Sequence, residues 1–335
     1  MSVVGVASVV YGVDDLDEAT RYYEDVGVPL TERTPASSTF TLEEGSTVVL
    51  RRDGDAALPD PWFEGPGVRE TIFGVDTAEA LDELVSGLAR DRDVRRSEDG
   101  VAHFTGDDGV PYGLRVYRRL PVNYSPDPVN APSRIHRLNQ SRKWRTRARP
   151  KVISHVVFRV TDAEESFRFF AERLRFRLSD ISRGLGFFAR ADGAPEHHTI
   201  FLLQNGFLDA SEQPGFHHVC LGVEDIDELL VGANHMQRCG WRTDIGLGRH
   251  RIASSLFYYL YAPCGGMVEY GADTDYLDDS WVPRIWAPDF GVASVMAELP
   301  PFMAERAAWD VEFIEDYRPG DAGPFVASEP PGAPS

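Results

Sequence analysis

The chain has 335 residues, of which 42% are hydrophobic and 26% are charged, as in ordinary globular proteins long enough for two domains. It contains no run of 18 apolar residues and its N-terminus lacks the features of a signal peptide, so we expect neither a membrane span nor export. Three scattered cysteines exclude a disulfide framework and a cysteine-rich zinc site, and they fit a reducing cytoplasm. The formal net charge of −19 disfavours binding to nucleic acid or to anionic membranes.

Two halves of the chain repeat one pattern. Near the start, VASVVYGVDDLDEATRYYEDVG predicts a strand, a turn and a helix, and ISHVVFRVTDAEESFRFFAERLR predicts the same, with Val13 aligned on Val160. The acidic turn in each segment supplies the N-cap of the helix that follows. A second pair, RETIFGVDTAEALDELVSGLA and HHVCLGVEDIDELLVGANHM, aligns Gly74 on Gly222. We therefore expect four strand–helix units in two pairs, each followed by short strands.

This fourfold unit resembles the vicinal oxygen chelate superfamily, over about residues 4–118 and 152–272. The resemblance implies an α+β fold in which two modules, each of paired βαβββ units, curl their sheets into cups around a metal. The expected divisions are an N-terminal module without metal ligands at 1–118, a linker at 119–150, a catalytic module at 151–273 and a tail at 274–335.

The linker begins rich in proline and ends in a basic run from Arg134 to Lys151. This run opposes the acidic balance of the chain, and a nucleic-acid-binding arm is one interpretation of it. A basic linker that lies across an acidic body is the interpretation we prefer. We therefore expect no nucleic-acid partner.

Two histidines occupy equivalent positions in repeated strands of the second half. His155 lies in SHVVFRV and His218 lies in HHVCLGV, while a third strand, in APCGGMVEYGAD, carries Glu269 where a buried strand would prefer valine or isoleucine. Two imidazoles and one carboxylate bind one face of iron(II) and leave the opposite face open for substrate and dioxygen. Taken singly, a strand histidine is more often a core residue and a glutamate near a strand end is more often solvated.

The first half of the chain provides an internal comparison for these three ligand candidates. The corresponding positions there are occupied by Ser8, Glu70 and Gly113. The fold therefore does not require the ligands, and their joint occurrence in the second half predicts a metal site. His217 competes with His218, but adjacent strand residues point to opposite faces and the repeat selects His218.

The segments around these ligands resemble the extradiol catechol dioxygenases, including the catechol 2,3-dioxygenase and homoprotocatechuate 2,3-dioxygenase branches. That family has a histidine before an apolar strand, a His-His pair, a Gly-x-x-Arg-His segment, an aromatic strand with tyrosine, and Pro-x-Gly-x-x-x-Glu. This chain has EHHTIFL, FHHVCL, GLGRHRI, FYYLY and PCGGMVE in that order.

The resemblance implies a role for three further residues. His198 would stabilise the oxygen species and act as an acid, while His250 and Tyr259 would hydrogen-bond the substrate oxygen and select the hydroxyl that ionises. His197 is the alternative to His198, although the parity of the strand favours His198. Alone, His250 also fits a plain loop histidine and Tyr259 a core aromatic residue. The insertion in QNGFLDASEQPGF departs from the family spacing.

We therefore expect an enzyme, an Fe(II)-dependent extradiol dioxygenase that cleaves a catechol-type ring with dioxygen, and we expect a homo-oligomer. One alternative is another iron oxygenase of the same fold, of the hydroquinone or hydroxyphenylpyruvate type, although the 2-oxoacid users lack the His/His/Tyr set. The other alternative is a metal-free binding protein, against which the retention of all three ligands argues.

The tail contains WVPRIWAPDF, which is unusually rich in tryptophan and proline for a chain end. Exposed tryptophan marks burial or binding. We expect Trp281 to Phe290 to cover the catalytic cup as a lid, as resemblance to the homoprotocatechuate branch implies, with Arg284 meeting a substrate anion. The alternative is packing against the linker or a neighbouring subunit. The final SEPPGAPS predicts disorder.

Overall fold

The computed structural model describes residues 2–206, 213–299 and 309–321, so the final SEPPGAPS and part of the insertion lie outside the described residues. The helices are α1 (Leu16–Val26), α2 (Ala78–Leu88), α3 (Ala163–Leu174), α4 (Ile226–Arg238) and α5 (Pro288–Gly291). The strands of the first half are β1 (Val3–Val13), β2 (Leu30–Arg33), β3 (Ser37–Thr41), β4 (Thr47–Arg52), β5 (Gly67–Val75), β6 (Arg95–Arg96), β7 (Ala102–Thr105) and β8 (Pro111–Val116). Those of the second half are β9 (Val152–Val160), β10 (Arg177–Ser182), β11 (Gly186–Arg190), β12 (Ile200–Gln204), β13 (Gly215–Gly222), β14 (Gly248–Arg249), β15 (Leu256–Tyr261), β16 (Met267–Ala272), β17 (Arg284–Trp286), β18 (Val295–Met296) and β19 (Val311–Phe313).

The described strands form two mixed sheets. The N-terminal sheet has the order β2-β3-β4-β1-β5-β8-β7-β6, and the C-terminal sheet has the order β18-β14-β15-β16-β13-β9-β12-β11-β10-β17-β19. At the centre of each sheet the first strands of two units pair antiparallel, β1 with β5 and β9 with β13. Each unit runs strand, helix and three strands, which confirms the predicted α+β class and fourfold repeat. No helix in the described ranges combines the length and apolarity needed to cross a membrane.

Aspartate side chains start the helices α1 and α3, as the sequence predicts. Asp15 accepts hydrogen bonds from the backbone N–H groups of Asp17 and Glu18 at 3.0 and 2.9 Å. Asp162 accepts one from Glu165 at 2.9 Å. These donors have no partner within the helix, so the caps stabilise each helix at the point where the chain leaves its central strand.

One apolar core connects the two sheets. Aromatic rings from both halves meet edge-on in it: Phe73 lies 5.8 Å from Phe170, and Tyr11 lies 5.6 Å from Phe216. Such pairs contribute roughly 1 kcal/mol each beyond the burial of their area. Side chains of the N-terminal module therefore pack against those of the C-terminal module in this shared core.

A buried carboxylate, Glu44, connects the N-terminal module to the strand that carries His155. It accepts hydrogen bonds from the backbone N–H of Ile153 at 2.7 Å and from Nε of Arg119 at 2.6 Å. Arg119 also pairs with Glu196 of the second half at 2.5 Å. Burial raises the pKa of Glu44, and its hydrogen bonds oppose that rise without cancelling it. The start of β9 thus depends on polar contacts from the other module.

The basic linker lies across acidic residues of the C-terminal half, as we preferred on sequence grounds. Lys143 pairs with Glu224 at 2.9 Å, and Arg145 contacts both Glu224 and Asp225. These ion pairs offset much of the local positive charge. Lys143 and Arg145 therefore have carboxylate partners within the chain.

The tail extends the C-terminal sheet at both edges. Strand β17 pairs in parallel with β10, placing Ile285 beside Ile181, and β19 pairs with β17. Strand β18 pairs with β14 at the opposite edge. The short helix α5 lies between β17 and β18 in the chain. The tail therefore passes from one edge of the curved sheet to the other.

Candidate metal centre

Three neighbouring strands bring the predicted ligands together. His155 in β9, Cys220 in β13 and Glu269 in β16 are aligned in one row across the sheet. His218 precedes Cys220 by two residues, and side chains two apart in a strand share a face. Ligands that are 63 and 51 residues apart in sequence, 218 − 155 and 269 − 218, thus become neighbours.

The N-terminal sheet has the same row without the ligands. Ser8, Ile72 and Gly113 are aligned across β1, β5 and β8, and Glu70 stands two residues before Ile72. The register therefore reproduces the alignment of the sequence repeat. Glu70 is instead 2.6 Å from Nδ1 of His103.

The ligand atoms of the three side chains form a small triangle. Nε2 of His155 lies 3.2 Å from Nε2 of His218, and Oε2 of Glu269 lies 3.2 and 3.1 Å from these two nitrogens. Ligands at right angles and about 2.2 Å from an ion are about 3.1 Å apart, so the triangle fits one face of an octahedral ion. All three residues are at most 5% exposed.

Unpaired polar atoms also point to a cation here. Both carboxylate oxygens of Glu269 are buried and have no hydrogen-bond partner among the described residues. Leaving such groups unpaired is unfavourable. Burial raises the pKa of Glu269, but the two imidazoles lower it more, so the carboxylate is ionised. Burial lowers the pKa of His218, which keeps its imidazole neutral. These are the protonation states that bind metals.

The competing histidine, His217, lies at a bulge in β13. The pairing of β13 with β9 shifts between Phe216 and His218, and Nδ1 of His217 lies 2.6 Å from Nδ1 of His218. The strict alternation of faces that we assumed does not hold here, because a bulge interrupts it. Both histidines line the cavity, but it is His218 that forms the triangle with His155 and Glu269.

His198 lies directly beside the triangle. Its ring packs against that of His155 in a tilted arrangement, with centroids 4.1 Å apart and an interplanar angle of 38°. Our placement of His198 on a strand is wrong, since β12 begins two residues later, at Ile200. Burial lowers the pKa of His198, and the neighbouring histidines lower it further, so the ring is neutral at pH 7.

His197 faces away from the cavity into a polar network. It is fully buried, with Nε2 3.2 Å from Oδ2 of Asp180 and Nδ1 3.1 Å from Nδ1 of His198. The same aspartate oxygen accepts a hydrogen bond from the indole N–H of Trp286 at 3.0 Å. Of the two histidines, His198 is therefore the one that lines the cavity.

His250 and Tyr259 form a hydrogen-bonded pair on another side of the ligands. Nε2 of His250 lies 3.2 Å from the hydroxyl of Tyr259, whose ring lies 5.1 Å from that of His218. Nδ1 of His250 donates to the carbonyl of Val292, so Nε2 of the neutral ring accepts from the hydroxyl. Burial raises the pKa of Tyr259, and the charge of Glu269 raises it further, so the hydroxyl keeps its proton.

A cavity of about 1890 Å³ opens above these residues. Phe188 and Phe201 stack in parallel 4.0 Å apart on its wall, and Trp62 and Phe63 reach it from the N-terminal module. Apolar walls around a few converging polar groups are typical of small-molecule sites. Sequence analysis did not predict that Trp62 and Phe63 line the cavity. The sequence feature that could have indicated it is a Trp-Phe pair in a Pro- and Gly-rich segment.

The tail lines the cavity with a later segment than the one predicted to cover it. Gly291, Val292 and Met296 line the cavity, whereas the residues from Trp281 to Phe290 do not. The earlier residues pack at the sheet edge instead, because β17 pairs with β10.

The expected contact of Arg284 with a substrate anion is wrong. Its guanidinium lies 4.2 Å from the ring centroid of Trp281 and 5.1 Å from that of Phe313. It is not among the residues that line the cavity. Cation–π contacts with these two rings hold the guanidinium of Arg284 outside the cup.

A paired-module fold with two histidines and one glutamate on adjacent strands is typical of the vicinal oxygen chelate superfamily. Residues 152–270 match the family model of the Glyoxalase/Bleomycin resistance protein/Dioxygenase superfamily. Through this module the chain is similar to that superfamily.

Three known proteins illustrate the similarity. The chain is 28% identical over 301 residues to metapyrocatechase 2 of Cupriavidus necator, with 88% of each chain covered. It is 30% identical over 159 residues to an iron-dependent extradiol dioxygenase of Rhodococcus jostii strain RHA1, covering 42% of this chain and 51% of the relative. The crystal structure of BphC, a halotolerant catechol dioxygenase, superposes with a TM-score of 0.69 at 16% identity, covering 93% of this chain and 99% of that chain. This last likeness concerns the fold alone.

Proposed function

We propose that the protein is an Fe(II)-dependent extradiol dioxygenase that cleaves the ring of a catechol-type substrate with dioxygen. The observation that carries the proposal is the triangle of His155, His218 and Glu269 in the wall of an aromatic-lined cavity. The names of the two similar sequences, a metapyrocatechase and an extradiol dioxygenase, support it.

The donor set favours iron(II) at this position. Two neutral imidazoles and one carboxylate on one face are the ligands of non-haem iron(II) oxygenases. The relative from Rhodococcus jostii is named as iron-dependent. When bound, the metal would act as a Lewis acid and a template that holds catechol and dioxygen side by side.

The pair of His250 and Tyr259 is placed to control the protonation of the substrate. Nε2 of His250 is an acceptor and can take the proton of one catechol hydroxyl. The hydroxyl of Tyr259 keeps its own proton and, by turning from Nε2 of His250 when substrate binds, can donate a hydrogen bond to the oxygen that ionises and leave Nε2 free. Together they would fix which of the two hydroxyls loses its proton first.

His198 is placed to assist dioxygen. Its neutral ring packs against His155 and faces the cavity, where its N–H can hydrogen-bond dioxygen. Once the ring has taken up the remaining catechol proton, it can return that proton during cleavage. The stacked rings of Phe188 and Phe201 exclude water from this side. A low-dielectric wall strengthens each of these hydrogen bonds.

A catechol panel tests this proposal. The full chain is reconstituted anaerobically with Fe²⁺, and oxygen uptake and the absorbance of ring-cleaved product are followed for one-ring and two-ring catechols. We expect at least one substrate to consume one dioxygen per ring cleaved, with activity abolished in His155→Ala. Equal activity in metal-free protein, or no oxygen uptake with any catechol that binds, would contradict the proposal.

A further inference from the structure

A second cluster of metal-binding side chains lies far from the cavity, where helix α1 of the first half contacts helix α4 of the second. Asp25, His235 and Cys239 each offer a ligand atom, and these atoms lie within 4.8 Å of one another. Asp25 is in the last turn of α1, and Cys239 directly follows α4. None of the three lines the cavity of the candidate metal centre.

The helix places two of these ligands on one face. The backbone N–H of Cys239 donates to the carbonyl of His235 at 3.0 Å, so the helical turn continues and the two side chains, four residues apart, are neighbours. Sγ of Cys239 lies 3.5 Å from Nε2 of His235. Tetrahedral binding to one zinc ion, with bonds of about 2.3 and 2.1 Å, places sulfur and nitrogen about 3.6 Å apart.

The third ligand is oriented by a neighbouring indole. Oδ2 of Asp25 accepts a hydrogen bond from Nε1 of Trp241 at 2.8 Å, and Trp241 packs edge-on against Tyr22 with ring centroids 5.0 Å apart. The other oxygen, Oδ1, faces His235 at 3.9 Å, which a small rotation of these partly exposed side chains would shorten. A ligand carboxylate held by a second hydrogen-bonding group is typical of metal sites.

We propose that Asp25, His235 and Cys239 form a second metal site, selective for a thiophilic divalent cation such as Zn²⁺, that links the two modules. Sulfur, nitrogen and oxygen donors from one cysteine, one histidine and one aspartate suit Zn²⁺, with water at the fourth position. Binding releases the thiol proton of Cys239 to solvent and consumes no other reactant. The cation thereby joins the end of α1 to the end of α4.

Cobalt(II) is the probe that separates this site from the candidate iron centre, because the iron ligands include no thiolate. The full chain is titrated anaerobically with Co²⁺, and the thiolate-to-cobalt charge-transfer absorption in the near ultraviolet is recorded. We expect this band in the unmodified protein and in His155→Ala, which lacks a ligand of the iron centre. We expect its loss in Cys239→Ser and in His235→Ala.

Two matched cysteine variants serve as controls. Cys220→Ala and Cys264→Ala remove buried thiols elsewhere and are expected to keep the band. Absence of the band in the unmodified protein, or its loss in Cys220→Ala with retention in Cys239→Ser, would overturn the proposal.

Thermal unfolding with Zn²⁺ provides the second readout. A cation that binds the folded chain raises the unfolding midpoint by mass action. We expect Zn²⁺ to bind Cys239→Ser at least tenfold more weakly than the unmodified protein, with a correspondingly smaller rise of the midpoint. Equal affinities in the two proteins would contradict a role for this thiol whatever the outcome for iron.

Discussion

At the scale of single residues, His198 and His197 lie in different environments. The ring of His198 contacts His155 and the cavity, whereas His197 is held by Asp180 in the interior. We predict that His198→Phe keeps its iron and still binds catechol but loses turnover by roughly 10²- to 10⁴-fold, the range for a lost acid–base group. Single-turnover kinetics and iron analysis of the same preparation measure this. A turnover near that of the unmodified protein would show that His198 is not the acid–base group.

A second residue prediction concerns Tyr259, whose hydroxyl donates to His250. Tyr259→Phe keeps the ring beside His218 and removes only that hydroxyl. We expect unchanged iron content and a turnover lowered by one to two orders of magnitude, since a hydrogen bond to an ionised oxygen contributes about 1.5–3 kcal/mol. Substrate ionisation, followed by ultraviolet absorption under anaerobic conditions, is expected to shift to higher pH. Unchanged ionisation would exclude the proposed hydrogen bond.

Sequence reasoning predicted which of these residues lie together beside the cavity but not all of their geometry. The ligand positions were predictable from the repeat, because Ser8 and Gly113 of the N-terminal sheet occupy the places that His155 and Glu269 occupy in the C-terminal sheet. The bulge beside His217 has no signal in a stretch of ordinary strand residues. His198 was selected by strand parity although it precedes its strand, so that choice agreed with the structure for an incorrect reason.

At the scale of elements, the tail is joined to the cup through Asp180. This buried carboxylate accepts from the indole of Trp286 at 3.0 Å and from the backbone N–H of Arg284 at 2.8 Å, and it contacts His197. We predict that Trp286→Phe lowers the free energy of unfolding by ~1–3 kcal/mol, the cost of leaving a buried acceptor with one donor fewer. Denaturant unfolding measures the change.

The matched control for this tail prediction is Trp144→Phe, which alters an indole that is 96% exposed on the linker. It is expected to leave the free energy of unfolding unchanged within ~0.5 kcal/mol. An equal loss of stability in both variants would show that the indole hydrogen bond to Asp180 contributes little.

The tail also marks where sequence reasoning fails at this scale. The helices and long strands were predictable because caps and apolar periodicity act locally. Strands of two or three residues, such as β17 and β18, are formed by pairing with distant partners and have no such local signal. The aromatic residues of the tail therefore predicted burial correctly but not the segment that reaches the cavity.

At the scale of the whole molecule, Glu44 makes the contact between the modules sensitive to pH. Its pKa in the folded chain is raised by burial above the ordinary value of about 4.5, so this group favours folding at low pH and that contribution is lost as pH rises through the raised pKa. We predict that Glu44→Gln gains stability relative to the unmodified protein as pH rises from about 4 to 7. Denaturant unfolding across this pH range provides the measurement.

Glu43→Gln is the control for this pH effect, because Glu43 is an exposed neighbour of Glu44 in the sequence. Its stability difference from the unmodified protein serves as the baseline across the same range. A difference for Glu44→Gln that changes with pH no more than this baseline would mean that burial does not shift this carboxyl. A difference that falls with pH would reverse the assigned sign.

The central claim, that His155, His218 and Glu269 hold the catalytic iron, is tested most directly by the iron content of two neighbouring variants. His218→Ala and His217→Ala are reconstituted anaerobically with Fe²⁺, desalted and analysed for iron, with circular dichroism confirming that both are folded. We predict that His218→Ala loses its iron and its ring-cleaving activity, while His217→Ala retains iron at the level of the unmodified protein. Full iron occupancy in His218→Ala, or its loss only in His217→Ala, would contradict the assignment.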